Sequence, residues 1–219
     1  KIINPCKKDT ILEIGPGHGA LTSKLLDLSK KLYAVEIDPM LYEKLKNKYD
    51  NLNIINEDIL KWNNDNINFN KVVGNVPYNI SSQIIFKFLN QKWDIMILML
   101  QKELANRIVS NKGSKDYGRI SVMVQNFCNV TYMCDISKNV FTPKPKVDSG
   151  ILMFSRKKTS INIDKFSLFI KKAFKHRRKK LKNNLKEFCN LNYLELYKDQ
   201  RPEELSPKEY LNLFNKIYF

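Results

Sequence analysis

Asn75, Pro77 and Tyr78 lie within four residues, Asn75-Val76-Pro77-Tyr78, after the apolar run Lys71-Val72-Val73-Gly74 and before a helical pattern starting near Ser81. A side-chain amide, a ring that fixes φ and an aromatic face therefore stand at the exit of a predicted strand. Together they can hold a flat heterocycle by its exocyclic amine. The Asn75 side-chain oxygen and a backbone carbonyl at Val76 or Pro77 can accept both amine hydrogens. The amine lone pair is then free to point at an electrophile. Such catalysis rests on positioning and electrostatics and needs no strong general base. Tyr78 can stack on the base, an interaction worth about 1–3 kcal/mol. A base gripped this way must leave its helix or come from a loop. Taken alone, the stretch also fits a strand-to-helix turn with a packed Tyr, so its meaning depends on what lies upstream.

Upstream, Glu13-Ile14-Gly15-Pro16-Gly17-His18-Gly19 sits between a predicted strand and a predicted helix. Gly15 and Gly17 let the backbone turn tightly and approach a ligand. Glu36 closes the next strand, 21 residues after Gly15, where such folds place an acid on ribose hydroxyls. Pro16 interrupts the dinucleotide pattern. Glu13 suits a cationic or amine-bearing ligand, so S-adenosylmethionine is favoured over NAD. Asp58 closes the third strand and can accept a hydrogen bond from an adenine amine. Ile37 and Ile59 are placed to sandwich the adenine ring, and Asn75 is expected to touch the donor as well as the base. Each acid alone fits a surface loop equally well. Two of them closing successive strands after a glycine turn argue for a nucleoside site.

The elements that must position these groups alternate. Strands are predicted at Thr10–Ile14, Lys31–Ile37, Leu52–Ile55, Asn70–Gly74 and Asp94–Leu100, with two more at Cys128–Cys134 and Gly150–Ser155. Helices are predicted at Ala20–Ser29, Pro39–Tyr49, Ser81–Leu89, Lys102–Val109 and Ile120–Phe127. That order predicts an α/β fold, a mostly parallel seven-stranded sheet with helices on both faces. Phe141-Thr142-Pro143-Lys144-Pro145-Lys146 is too rich in proline for the interior of either element. Three further helices are expected at Asp164–Lys175, Lys179–Phe188 and Ser206–Ile217. They form a second, all-helical domain over 158–219, after a first domain over 1–157.

The 219 residues carry a formal net charge of +16, which points to an acidic partner, nucleic acid above all. From Ile151 to Phe219 there are 17 Lys and Arg against 7 Asp and Glu, or +10 of the total. Lys171 to Lys186 holds nine of these cations and no acid. Lys175, Arg177, Arg178, Lys179 and Lys180 are its candidate RNA contacts, although a charge run is also the usual mark of a solvated face. Cys6, Cys128, Cys134 and Cys189 have no C-x-x-C spacing, and His18 and His176 lack partners at ligand spacing. Neither a disulfide framework nor a metal site is expected. No apolar run reaches the ~18 residues that span a bilayer. Two glycosylation sequons, at Asn79 and Asn129, are set aside for lack of a secretion signal.

Taken together, these residues resemble the rRNA adenine-N6 dimethyltransferases, and within them the small-subunit (16S-type) dimethyladenosine transferase branch. The resemblance runs through Glu13–Thr22, Val35–Asp38, Glu57-Asp58, Asn75–Ser81, Gln101–Glu103, Tyr117–Ser121, Phe141–Ser149, Phe174–Leu185 and Arg201–Ser206. It implies a class I S-adenosylmethionine-dependent methyltransferase domain with a small helical C-terminal domain. It also implies four methyl transfers to two adjacent adenines near the 3′ end of small-subunit rRNA, within a 30S-type pre-ribosomal particle. Phe141 would be the second aromatic face, opposite Tyr78. The family's N-terminal Gln-(His/Asn)-Phe-Leu segment, which helps enclose the cofactor, is expected ahead of Lys1. A monomer working in the cytoplasm is expected, or in an organelle if a targeting segment precedes the chain. The competing readings are the large-subunit, macrolide-resistance branch and a non-catalytic rRNA-binding assembly factor. The last two motifs favour the small-subunit branch; the intact acids and Asn75 favour catalysis.

Overall fold

The computed structural model describes residues 2–63 and 67–218. The outer ends of both expected domains, residues 1 and 219, lie outside the described residues. Seven strands form one sheet: β1 (Thr10–Ile14), β2 (Lys31–Glu36), β3 (Leu52–Asn56), β4 (Lys71–Asn75), β5 (Ile95–Gln101), β6 (Cys128–Ile136) and β7 (Ser149–Arg156). Their order is β3-β2-β1-β4-β5-β7-β6. The first five strands are parallel, and β7 runs antiparallel to β5. The helices are α1 (Thr22–Leu26), α2 (Pro39–Lys48), α3 (Ser81–Leu89), α4 (Lys102–Val109), α5 (Arg119–Phe127), α6 (Ile163–Ala173), α7 (Leu181–Leu185) and α8 (Pro207–Tyr218). Among the described residues, no helix is long and apolar enough to cross a membrane.

The chain separates into two compact units, Lys1–Lys102 with Thr131–Arg156, and Glu103–Val130 with Lys157–Phe219. The expected division between 157 and 158 lies one residue past the later crossing, which falls between Arg156 and Lys157. It does not account for Glu103–Val130, which that division places in the first domain. Those residues are held by groups of the second unit. The Tyr117 hydroxyl donates to the Leu205 carbonyl at 2.8 Å, and Asn126 Nδ2 donates to the Pro207 carbonyl at 3.0 Å. Phe127 meets Phe166 edge-on at 5.7 Å, and Phe166 meets Phe214 at 5.2 Å. Charge and proline content mark where a chain changes character; they do not show which aromatic rings will share a core.

In the first unit, buried aliphatic residues on the strands make the core, with Ile11, Leu32, Ala34, Val73 and Ile97 among them. Continuous apolar strands are what a sheet covered on both faces requires. Lys71 Nζ donates to Asp9 at 2.7 Å and Asn70 Nδ2 donates to Asp9 at 2.8 Å, fastening the start of β4 to the start of β1. At the other end of the same pair, a Cβ on Gly74 would lie 3.0 Å from both Cβ and O of Ile14. Only glycine lets the two strands close to this distance where Asn75 leaves the sheet.

Three of the expected helices, α1, α6 and α7, are shorter in the structure. α1 begins only at Thr22, because the turn before it continues through Gly19, whose φ is +83°. α6 ends at Ala173 and α7 spans only Leu181–Leu185. The buried Asn184 explains the break: its Nδ2 donates to the carbonyls of Ala173 at 2.8 Å and His176 at 3.1 Å. A side-chain donor that satisfies terminal carbonyls stabilises a helix end. Lys175, Arg177, Arg178, Lys179 and Lys180 therefore lie on a turn rather than a helix face.

Candidate active site

In an open α/β sheet a ligand binds at the carboxyl ends of the strands, where the strand order reverses. Here that point lies between β1 and β4, with Ile14 paired to Gly74. Gly15 and Gly17 follow β1 at φ of +62° and +59°, and Asn75 ends β4. β2 lies on the other side of β1, with Ile14 opposite Val35. This brings Glu36 to the glycine turn. Its carboxylate accepts the Gly17 N–H through Oε2 and the Asp38 N–H through Oε1, both at 3.0 Å. A carboxylate has about four acceptor positions, so two remain for ribose hydroxyls.

Glu13 is 2 % exposed, and its Oε2 accepts the Thr22 hydroxyl at 2.7 Å. Burial raises its carboxyl to about 7; the Thr22 hydrogen bond opposes the rise and the nearby Glu36 charge adds to it. Ile37 is 66 % exposed at the end of β2 and offers an open apolar platform. Ile59 is only 7 % exposed. The turn after Asp58, closed by the Lys61 and Trp62 N–H groups on the Asp58 carbonyl at 2.9 and 2.8 Å, leaves Ile59 largely buried. Of the two expected faces of the sandwich, Ile37 thus offers far more exposed surface than Ile59. Asp58 Oδ1 accepts the Leu60 N–H at 2.9 Å, which fixes its carboxylate at the mouth of β3.

Asn75, Val76, Pro77 and Tyr78 line a cleft of about 340 Å3 together with Phe141, Thr142, Pro143 and Pro145. Asn75 and Phe141, 66 positions apart in sequence, are brought together by the fold. Phe141 follows a short 3-10 turn at Lys138–Val140, held where the Lys138 N–H donates to Asp148 at 2.9 Å. The Pro77 carbonyl already accepts the Ser81 hydroxyl at 2.8 Å and the Ile80 N–H at 3.2 Å. Those two bonds fill its acceptor capacity, which leaves the Val76 carbonyl as the better partner for an incoming amine.

Three groups support the site in ways the sequence does not show. The buried Ser149 hydroxyl lies 2.7 Å from the Tyr78 hydroxyl and anchors the end of the ring. Asn56 Nδ2 donates to the carbonyls of Glu36 at 2.8 Å and Ile37 at 3.3 Å, tying the ends of β2 and β3. Lys87 Nζ donates to the carbonyls of Leu60 at 3.1 Å and Trp62 at 2.5 Å, bracing the loop after Asp58. Only Ser149 belonged to a recognisable motif, and nothing in that motif indicated Tyr78 as its partner. Among the described residues, no cluster of three or more His, Cys, Asp or Glu could hold a metal ion.

In the second unit the basic turn is partly neutralised. Arg177 Nη2 donates to the Ser114 carbonyl at 3.1 Å and its Nε lies 3.6 Å from Glu203. Lys180 and Lys182 share Asp199 at 3.1 and 2.8 Å. Lys175, Arg178 and Lys179 are exposed.

The sheet order and the glycine turn define the class I S-adenosylmethionine-dependent methyltransferase fold. Residues 1–218 match the family model for ribosomal RNA adenine dimethylase, and the chain belongs to that family. It is 43% identical over 221 residues to Ribosomal RNA small subunit methyltransferase A of Flavobacterium johnsoniae, covering 95% of this chain and 85% of that protein. The protein of that name from Chlorobium phaeobacteroides is 37% identical over 219 residues, covering 96% of this chain and 84% of the relative. The crystal structure of a dimethyladenosine transferase from Plasmodium falciparum superposes with a TM-score of 0.86 at 30% identity, over 98% of this chain and 92% of that one.

Proposed function

We propose that this chain dimethylates N6 of two adjacent adenines near the 3′ end of small-subunit rRNA, with S-adenosylmethionine as donor. The observation that carries the reading is the common cleft of Asn75, Val76, Pro77, Tyr78 and Phe141 at the strand-order reversal. The residues present fit the donor. The positive-φ turn at Gly15 and Gly17 has room for a ligand, the nearest atom to a Cβ on Gly15 being Asn75 O at 3.9 Å. Glu36 and Asp58 offer carboxylate oxygens, and Ile37 offers an apolar face. When bound, the donor supplies an electrophilic sulfonium methyl.

The chain's own groups do the rest. The Asn75 amide oxygen and the Val76 carbonyl accept the two N6 hydrogens, which favours a pyramidal nitrogen with its lone pair directed into the cleft. Tyr78, fixed by Ser149, stacks on one face of the adenine, and Phe141 closes the other. Donors and acceptors held in place before the reaction lower the barrier without reorganising during it. The proton leaves to solvent after transfer, so no buried base is required. After the first methylation one N6 hydrogen remains, and either acceptor can hold it for the second.

The second unit's exposed Lys175, Arg178 and Lys179, with Arg177 and Lys180, bind rRNA phosphates, which position rather than specify. The substrate is a 30S-type pre-ribosomal particle, and the protein works on it in the cytoplasm as a monomer. The test is labelled methyl transfer to under-methylated small subunits, with the modified base identified. Dimethyladenosine in adjacent positions of small-subunit rRNA is expected. Label confined to the large subunit would overturn the assignment.

A further inference from the structure

A second cleft, of about 750 Å3, lies within the second unit and takes no part in the chemistry above. Its lining combines three kinds of group: cations (Lys157, Lys158 and Lys208), amides that include Asn111 and Asn129, and apolar surface such as Leu211. Among the described residues that line it, none is acidic. The basic turn engages Glu203 and Asp199, but among the described residues Lys158 and Lys208 have no carboxylate within salt-bridge distance. Lys157 Nζ is held by the Gln125 carbonyl at 2.7 Å, which fixes its position without cancelling its charge. The nearest acid in sequence, Glu209, pairs with Lys112 at 2.9 Å and accepts the Ser206 N–H at 2.7 Å. Lys208 stands in the first turn of α8, a twelve-residue helix, whose dipole adds positive potential there.

Cations without counter-charges, amides able to meet base edges, and apolar surface for a base face suit one ligand chemistry. The volume falls in the range of roughly 300–1,000 Å3 found for small-molecule sites, enough for a nucleotide with its phosphate. From this we infer that the cleft is a second RNA-binding site, which takes a single-stranded segment of the substrate RNA away from the two adenines that are methylated. The inference rests on the proposed RNA substrate. Phosphates lie along Lys157, Lys158 and Lys208, while Asn111 and Asn129 contact bases. The cleft would anchor the particle while the target adenines exchange at Asn75.

The test uses the full chain and purified under-methylated small subunits. Lys158→Glu and Lys208→Glu, singly and together, are compared with Lys216→Glu, an equal charge change at an exposed position outside the cleft. Each cleft variant should raise Kd about fivefold or more, and the pair should lower the salt slope by about 1.4, at ~0.7 per cation on a single strand. Lys216→Glu should stay within twofold of the parent. Thermal melting and S-adenosylmethionine binding check the fold; Lys208→Gln replaces Lys208→Glu if the latter fails to fold. A photoreactive residue in place of Asn129 should cross-link to rRNA outside the methylated pair. Cleft variants that behave like Lys216→Glu, or a cross-link to ribosomal protein, would overturn the inference. If the parent binds the particle yet methylates nothing in it, the proposed function fails and the cross-link still decides the cleft.

Discussion

At Asn75–Tyr78 the amide and the aromatic ring face an open cleft, and the Tyr78 hydroxyl is anchored by Ser149. Around Tyr117 in the second unit, polar groups are just as dense, but they are turned on one another. Tyr117 donates to the Leu205 carbonyl, Tyr210 to the Pro202 carbonyl at 2.8 Å, and Ser121 to the Arg107 carbonyl at 2.6 Å. The Gly113 N–H reaches the Glu203 carbonyl at 2.8 Å. Both regions belong to the motifs that carried the family resemblance. One lines an open cleft; the other uses its donors to hold helices together. A motif therefore marks a demanding position without saying whether the demand is chemical or structural.

Substitutions can break this contrast if it is wrong. The largest effect is expected at Asn75→Ala, which should lower methyl transfer about 10²–10³-fold, the range for losing one preorganised group. Its melting temperature and rRNA affinity should stay close to the parent's. A melting temperature that falls with activity would show that Asn75 is structural after all.

Glu13 tests the same unit through pH. Its folded carboxyl sits near 7 rather than 4.5. The fold thus favours the protonated form, and that contribution is present at low pH. It is lost as pH rises from 4.5 through about 7, by roughly 3 kcal/mol at ~1.4 kcal/mol per pKa unit. Glu13→Gln should flatten this part of the stability profile without ligand, as read by denaturant melts at pH 5 and pH 8. An unchanged profile would remove Glu13 as its source.

Tyr117→Phe should do the reverse of Asn75→Ala. It leaves the buried Leu205 carbonyl without its donor, at a cost of about 1–3 kcal/mol. The melting temperature should drop by several degrees while kcat per folded molecule holds. Loss of kcat at full folding would give Tyr117 a chemical role.

The smallest effect separates two neighbours on the basic turn. Both are exposed, but Arg177 is engaged by Glu203 and Ser114, whereas among the described residues Arg178 has no carboxylate within salt-bridge distance. Arg178→Ala should lower the salt slope of rRNA binding by up to about 0.9, and Arg177→Ala should lower it less. Equal slopes would mean that the Glu203 contact does not hold Arg177 in solution.

Much of this was readable from the chain. Apolar runs alternating with helical patterns fix strands and helices, since burial on both faces of a parallel sheet demands them. Glycine at Gly15 and Gly17, acids at strand ends and the amide-proline-aromatic turn point to the chemistry proposed above, because few residue types can occupy such backbone or grip an amine. The charge asymmetry named an acidic partner. Other features depended on residues distant in sequence. The helix break at Ala173 is set by Asn184, the grouping of Glu103–Val130 by Phe166 and Leu205, and the anchoring of Tyr78 by Ser149. How little surface Ile59 exposes, beside the turn closed on the Asp58 carbonyl, was likewise not visible in the chain. Local conformation and composition are properties of neighbours along the chain, so the sequence by itself determines them. Which side chain satisfies which polar atom depends on groups brought together only when the core closes, and the tertiary structure alone decides it.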